Sequence, residues 1–289
     1  MFFKTKPVNP LAAPLFTAGI PKVIHQIWLG GKPVPPQDQQ WADGLKALHP
    51  TWQYRLWTEN ELPGLFSADT FGIQAAVDRA YNYGYQSDLL RLLILWRHGG
   101  VYLDTDIEGL RPLDPLIEGV DGFIGATFQP QPHPGIWLEN AVVAASPGHP
   151  FLAQVLTTLA EASKAWPAKG EPIPALTPLT GTGSLDTVYL TGPGMLSTQL
   201  DLYRRRQAVN GTGLPTPLSL LSDMAVIPPR FLYAHVPDWG QIGPAPDASH
   251  AYLRHHWSGK WFRPDGSYYA AYGPYTGYDL QSGKTEAKK

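Results

Sequence analysis

Gln86 to Asp106 reads Q-S-D-L-L-R-L-L-I-L-W-R-H-G-G-V-Y-L-D-T-D, and this stretch decides the fold. Leu89, Leu90, Leu92, Leu93, Ile94, Leu95 and Trp96 make a helix that is apolar on nearly every side, a pattern that suits burial. Ser87 and Asp88 are expected to cap its first turn, offering oxygens to backbone N–H groups that lack a partner. Gly99-Gly100 ends it, because glycine enters the left-handed cap conformation without steric cost. Val101 to Ile107 then alternates as a strand. That places Tyr102, Asp104 and Asp106 on one face, with Val101, Leu103, Thr105 and Ile107 on the other.

Two carboxylates on one face beside a core repel each other and lose solvation. A divalent cation removes both costs. Oxygen ligands at this spacing suit Mn²⁺ or Mg²⁺, and such an ion is usually shared with a phosphate-bearing substrate. D-x-D by itself also fits a turn or a solvated strand end. Its setting separates these readings. The string S-D-x-L-R-x-x-x-L-x-x-x-G-G-x-Y-x-D-x-D, from Ser87 to Asp106, resembles the core motif of glycosyltransferase family 32. That is the sugar-binding DXD family of the yeast-type α-mannosyltransferases, and the clostridial glucosylating toxins have a related core.

Two further segments carry the same resemblance. Pro21 to Gly31, P-K-V-I-H-Q-I-W-L-G-G, has the short apolar run and glycine stop of a buried parallel strand. Ligands in open α/β sheets lie beyond the carboxyl ends of strands, which makes Trp28 a candidate stacking platform for a nucleotide base. His25 alternates away from Trp28 and reads as structural. Leu253 to Trp261, L-R-H-H-W-S-G-K-W, resembles the family's closing motif. Adjacent histidines project to opposite faces of an extended segment, so only one of His255 and His256 can join the acid pair at a metal. A neutral imidazole suits Mn²⁺ beside carboxylates.

The rest of the chain fits an α/β layering. Gln37 to Leu48 reads as an amphipathic helix and Trp52 to Thr58 as a second strand, which with the first gives a βαβ start. Gly122 to Phe128 and Trp137 to Ala145 read as further strands, separated by a proline-rich loop at 129–135. Pro150 suits the first turn of a helix over Phe151 to Ser163. Residues 164–186 have no period and read as a long connection. The T-G-P-G at Thr191 to Gly194 precedes another helix, and its glycines allow close approach to a ligand. Arg204-Arg205-Arg206 reads as a cationic helix end. Val226 to Tyr233, broken by Pro228-Pro229, reads as an edge strand.

Composition bounds the function. The 289 residues carry a formal charge of −2 and no basic stripe, which argues against nucleic acid as a partner. Zero cysteines exclude disulfides and thiolate metal sites and fit a reducing compartment. No apolar run reaches about 18 residues, so no transmembrane span is expected. The expectation is a cytoplasmic protein, with room for peripheral contact at the inner face of a membrane. Residues 1–19 read as an extended arm, 20–273 as a single domain and 274–289 as a disordered tail.

The resemblance implies a GT-A fold, a Rossmann-like, mostly parallel mixed sheet flanked by helices. It also implies a retaining hexosyl transfer from a nucleotide-diphosphate sugar (GDP-mannose, UDP-glucose or UDP-galactose) to a glycan or lipid-linked acceptor, with Mn²⁺ or Mg²⁺ as cofactor. Residue by residue, it implies that Trp28 stacks on the base and Tyr102 packs near base or ribose. Asp88 and Arg91, one helical step of three apart, bind hydroxyls of the donor sugar. Asp104 touches ribose, a sugar hydroxyl or metal-bound water. Asp106 binds the metal with His255 or His256. Ser258 adds an oxygen, Lys260 and the N–H of Trp261 meet phosphate, and Asn140 contacts donor or acceptor. The alternative is a nucleotide-sugar or glycan-binding protein that kept this fold and lost transfer.

Overall fold

The computed structural model describes residues 19–80, 82–126, 138–166, 190–210, 223–234 and 248–258. The arm at 1–18, the loop at 129–135, most of the connection at 164–186, Lys260, Trp261 and the tail lie outside these residues.

The chain opens with β1 (Val23–Ile27), α1 (Pro36–Leu48) and β2 (Gln53–Trp57), and β2 returns parallel to β1. Two short helices follow, α2 (Leu62–Phe66) and α3 (Ile73–Arg79), then α4 (Tyr83–His98) and β3 (Gly100–Leu103). β4 (Ile107–Gly109), α5 (Asp114–Ile117), β5 (Gly122–Ala126), β6 (Leu138–Ala145) and α6 (Pro150–Ser163) come next. The described remainder holds α7 (Pro193–Asn210), β7 (Ala225–Ile227), α8 (Pro229–Leu232) and β8 (Leu253–His255). Among the described residues, six strands form one sheet in the order β2-β1-β3-β6-β5-β7, and β4 pairs with β8 in a separate ribbon.

β1 is parallel to β2 and to β3, and β5 to β7, while β6 runs antiparallel to both its neighbours. The mixed, mostly parallel α/β sheet that the sequence implies is therefore present. Its central strands are buried on both faces, and alternation sends their side chains into two cores. Tyr102, Val143 and Ala145 join α3, α4, α6 and α7 on one side. Val101, Leu103, Val142 and Ala144 face Leu45, Leu113, Leu232 and Leu253 on the other. β7 is the edge strand, which tolerates the prolines that follow it.

α4 is buried as its apolar composition requires, from Asp88 through Leu95. Its start differs from the sequence expectation. The cap is Asn82, whose side-chain oxygen accepts the N–H of Tyr85 at 2.7 Å. Ser87 and Asp88 therefore lie within the helix. The stop is Gly99, with φ +62° and its N–H donated to the Leu95 carbonyl at 2.8 Å. A side chain at Gly100 is excluded as well, because a Cβ there would sit 2.7 Å from the Val23 carbonyl oxygen of β1. The arginine run has local partners: Arg205 pairs with Asp201 and Arg206 donates to Gln154. Among the described residues, no helix is long and apolar enough to cross a membrane.

Candidate metal centre

The acid pair does not sit on one continuous strand. β3 ends at Leu103, the chain turns at Thr105-Asp106, and the Ile107 N–H closes that turn on the Asp104 carbonyl at 3.1 Å. The turn matters for geometry. Two side chains on one face of an extended strand stand about 6.6 Å apart at 3.3 Å per residue, whereas ligand atoms of Asp104, Asp106 and His255 all lie within 4.8 Å of one another. The turn also starts β4, whose antiparallel pairing with β8 sets Ile107 opposite His255. A residue some 150 positions away is delivered by that ribbon.

The two histidines separate as alternation requires. His255 is buried, with Nε2 3.3 Å from Asp106 Oδ1. His256 turns the other way, its Nε2 2.9 Å from Glu108 Oε2 and its ring stacked on Trp41 with centroids 4.1 Å apart. His256 is thus outside the cluster. The second oxygen of Asp106 accepts both the N–H and the hydroxyl of Ser258, each at 2.7 Å. Trp257, between them, has φ +51°, the one non-glycine residue in the left-handed region among those described. That turn brings Ser258 back onto Asp106. Burial pushes the Asp106 carboxyl up, but His255 and Ser258 outweigh it and hold the group well below the usual carboxylate range. Burial likewise pulls the His255 imidazole down, and the Asp106 carboxylate more than offsets this, so its pKa is raised.

Behind Asp104 lies a buried network that the sequence reading assigned to the donor. Arg91 is 4% exposed and Asp88 6% exposed, and they pair at 3.0 Å. Asp88 also accepts from Asn140 Nδ2 at 2.7 Å and from the Thr191 hydroxyl at 2.9 Å. Arg91 donates to the Asn140 carbonyl at 2.7 Å, lies 3.4 Å from Asp104 Oδ1 and stacks over the Tyr102 ring at 4.6 Å. Burial pushes the Asp88 carboxyl up to about 6 despite Arg91. Tyr102 is 1% exposed and donates its hydroxyl to Asp104 at 2.6 Å. In this structure Asp88, Arg91, Asn140 and Tyr102 contact one another, and Arg91 and Tyr102 hold Asp104.

Trp28 is half-buried at the carboxyl end of β1, where its indole N–H donates to the Lys32 carbonyl at 2.7 Å. It shares that sheet edge with Asp104, because β1 and β3 are parallel neighbours and Gln26 Nε2 reaches the Asp104 carbonyl at 3.0 Å. His25 is structural: it accepts from the Trp57 indole at 3.1 Å and meets the Gly99 carbonyl at 2.9 Å, and burial lowers its pKa to about 4.

Three members of the site escaped the sequence reading. Gln26 and Thr191 meet Asp104 and Asp88 from distant segments and carry no chemical signature of their own. Glu139 had one, a carboxylate inside the apolar run W-L-E-N-A-V-V. It is buried on β6, and burial pushes it up to about 7.

Two carboxylates and an imidazole whose ligand atoms lie within 4.8 Å of one another make a donor set that suits Mn²⁺ or Mg²⁺. Residues 35–121 match the family described as a glycosyltransferase sugar-binding region containing a DXD motif. The chain is 33% identical over 146 residues to inositol phosphoceramide mannosyltransferase 1 of Schizosaccharomyces pombe, covering 49% of this chain and 43% of that protein. It is 32% identical over 170 residues to mannosyl phosphorylinositol ceramide synthase CSH1 of Saccharomyces cerevisiae, covering 57% and 41%. The matched stretch thus spans less than half the length of these relatives. Among solved structures it is similar to the PaToxG glycosyltransferase, with a TM-score of 0.44 at 17% identity over 66% of this chain and 72% of that one. Over residues 35–121 the chain is similar to the glycosyltransferase family defined by a sugar-binding region with a DXD motif.

Proposed function

We propose that the protein transfers a hexose from a nucleotide-diphosphate sugar to a glycan or glycolipid acceptor, with a divalent cation held by Asp104, Asp106 and His255. The observation that carries this reading is the convergence of those three side chains, from two distant segments, beside the sheet edge where Trp28 stands. Mannose is the first sugar to test, because the relatives named above are mannosyltransferases. Their names also make an inositol-phosphate lipid the first acceptor class to test. Such an acceptor would bring the protein to a membrane surface.

A cation bound there supplies Lewis-acid stabilisation of the diphosphate that leaves as the bond to sugar C1 breaks. The chain's own residues prepare the place. Tyr102 and Arg91 fix the Asp104 carboxylate by a hydrogen bond and an ion pair, so it does not reorganise when charge develops. Asp106 remains ionised across the physiological range and offers a full negative charge. Trp28 offers an aromatic face, and stacking a base on such a face is worth roughly 1–3 kcal/mol. Retention of anomeric configuration follows if the acceptor hydroxyl attacks on the face that the diphosphate leaves, giving its proton to that diphosphate.

The test incubates the full chain with GDP-mannose, UDP-glucose or UDP-galactose, Mn²⁺ and inositol-phosphate lipid vesicles. Released nucleoside diphosphate with a glycosylated lipid is the expected result. Free sugar with no glycosylated product would make the protein a hydrolase. Binding without any release would leave the donor-binding alternative standing in its place.

A further inference from the structure

His255 is the ligand that travels farthest to reach the site, and its ring is only half accounted for. Nε2 faces Asp106, whereas Nδ1 is buried and has no hydrogen-bond partner among the described residues. The Tyr233 hydroxyl, on a residue 1% exposed, is likewise buried and without a partner. The two rings stand 6.0 Å apart. An unsatisfied buried polar atom costs roughly 1–3 kcal/mol, so two together call for a shared partner.

The sheet supplies one. Glu139 of β6 pairs directly with Gly125 of β5, just past an irregularity in the ladder, and residues directly opposite one another project to the same face. A Cβ placed on Gly125 would meet the Tyr233 hydroxyl at 2.5 Å. The hydroxyl therefore occupies the space above Gly125, on the face to which Glu139 projects. The only hydrogen bond that the Glu139 side chain makes among the described residues is a 3.2 Å contact from the Ala141 N–H to Oε1. Electrostatics connect the same three groups: after burial, His255 acts most strongly on Glu139, and Glu139 acts on both His255 and Tyr233.

We infer that Glu139 is a positioning residue for His255: with the Tyr233 hydroxyl it forms the buried acceptor that takes the imidazole Nδ1–H and so turns Nε2 towards Asp104 and Asp106. The inference rests on reading those three residues as a cation site. When Nε2 ligates a cation, or when the ring is protonated against Asp106, Nδ1 carries a hydrogen and needs an acceptor. A rotation of the Glu139 side chain or a bridging water would complete the contact, with Tyr233 donating to the remaining carboxylate oxygen. Gly125 is then required for room, since any side chain would displace the Tyr233 hydroxyl.

The experiment measures Mn²⁺ affinity from the electron paramagnetic resonance of the free ion, on the full chain and on Glu139→Gln, Glu139→Leu and Tyr233→Phe. Glu139→Leu is expected to weaken binding by roughly 10- to 100-fold, the usual effect of losing the partner of a ligating histidine. Glu139→Gln keeps an acceptor oxygen without the charge and should fall between, and Tyr233→Phe should weaken binding less than Glu139→Leu. A second readout needs no metal. In ¹⁵N-histidine spectra of the cation-free protein, the His255 Nδ1–H proton should lie far downfield and move upfield in Glu139→Leu. Wild-type binding with unchanged affinity in all three variants, or an Nδ1 signal indifferent to Glu139, overturns the role assigned to Glu139. Failure of the wild-type chain to bind Mn²⁺ overturns the cation reading itself, so the two failures are told apart.

Discussion

At the scale of single residues, the site is built by burying charge and then constraining it. Arg91 is the central example, because it is the cation shared by Asp88 and Asp104. Removing one partner of a buried ion pair leaves the other uncompensated and costs about 3–5 kcal/mol. Arg91→Met should therefore lower the unfolding free energy by that order, and Arg91→Lys should recover part of the loss but not the simultaneous contacts of separate guanidinium nitrogens with Asp88 and the Asn140 carbonyl. Glu139 makes a prediction of opposite sign. Burial raises its pKa from 4.5 to about 7, so between those values the native state holds more protons than the unfolded state. Stability then falls as pH rises through that window. Glu139→Gln should be more stable than the cation-free wild type at pH 8, by at most about 3 kcal/mol at 1.36 kcal/mol per unit, and equal to it near pH 4. Equal melting curves at pH 8 would refute the assignment. A substitution that stabilises the empty protein while weakening its grip on Mn²⁺ is what a functional buried carboxylate predicts.

At the scale of elements, α4 and β3 carry both the fold and the chemistry, and the two glycines between them set their spacing. A Cβ on Gly100 would strike a backbone oxygen of β1, which cannot swing aside, and φ there is +104°. Gly100→Ala should cost on the order of 2–4 kcal/mol from strain and overpacking together. Gly148 has φ +72° but open space around it, so Gly148→Ala should cost only the conformational penalty of about 1–2 kcal/mol. Urea melts of the pair separate clash from strain. These elements also show what the sequence could reveal. α4 was legible because a helix apolar on all sides has one stable location, and its end was legible because only glycine fits there. Its start was misread because the capping residue, Asn82, precedes Gly84 and the apolar run by several positions. The strand through Asp106 was misread because alternation continues across the turn at 105–106 and no glycine or proline marks the break.

At the scale of the whole molecule, the site is a meeting of segments some 150 residues apart. The β4–β8 ribbon lies outside the main sheet and serves to bring His255 and Ser258 to Asp106. Sequence pattern could propose His255 or His256, since both stand in one motif. Only the pairing of β8 with β4 decides which face meets the acid pair. The contacts that Asp88 and Arg91 make with Asn140 were not legible either, because they join segments about 50 residues apart that only the packed chain brings together.

The most direct measurement is transfer itself, from the nucleotide sugar that gives the highest turnover, after chelation and stepwise return of Mn²⁺. The site described here predicts that the wild-type chain loses transfer on chelation and recovers it with Mn²⁺. Asp106→Asn and His255→Ala should remain at least about 100-fold slower at any Mn²⁺ concentration, the loss of roughly 2.7 kcal/mol of transition-state stabilisation. Full transfer in the presence of chelator, or wild-type rates from Asp106→Asn, would contradict it.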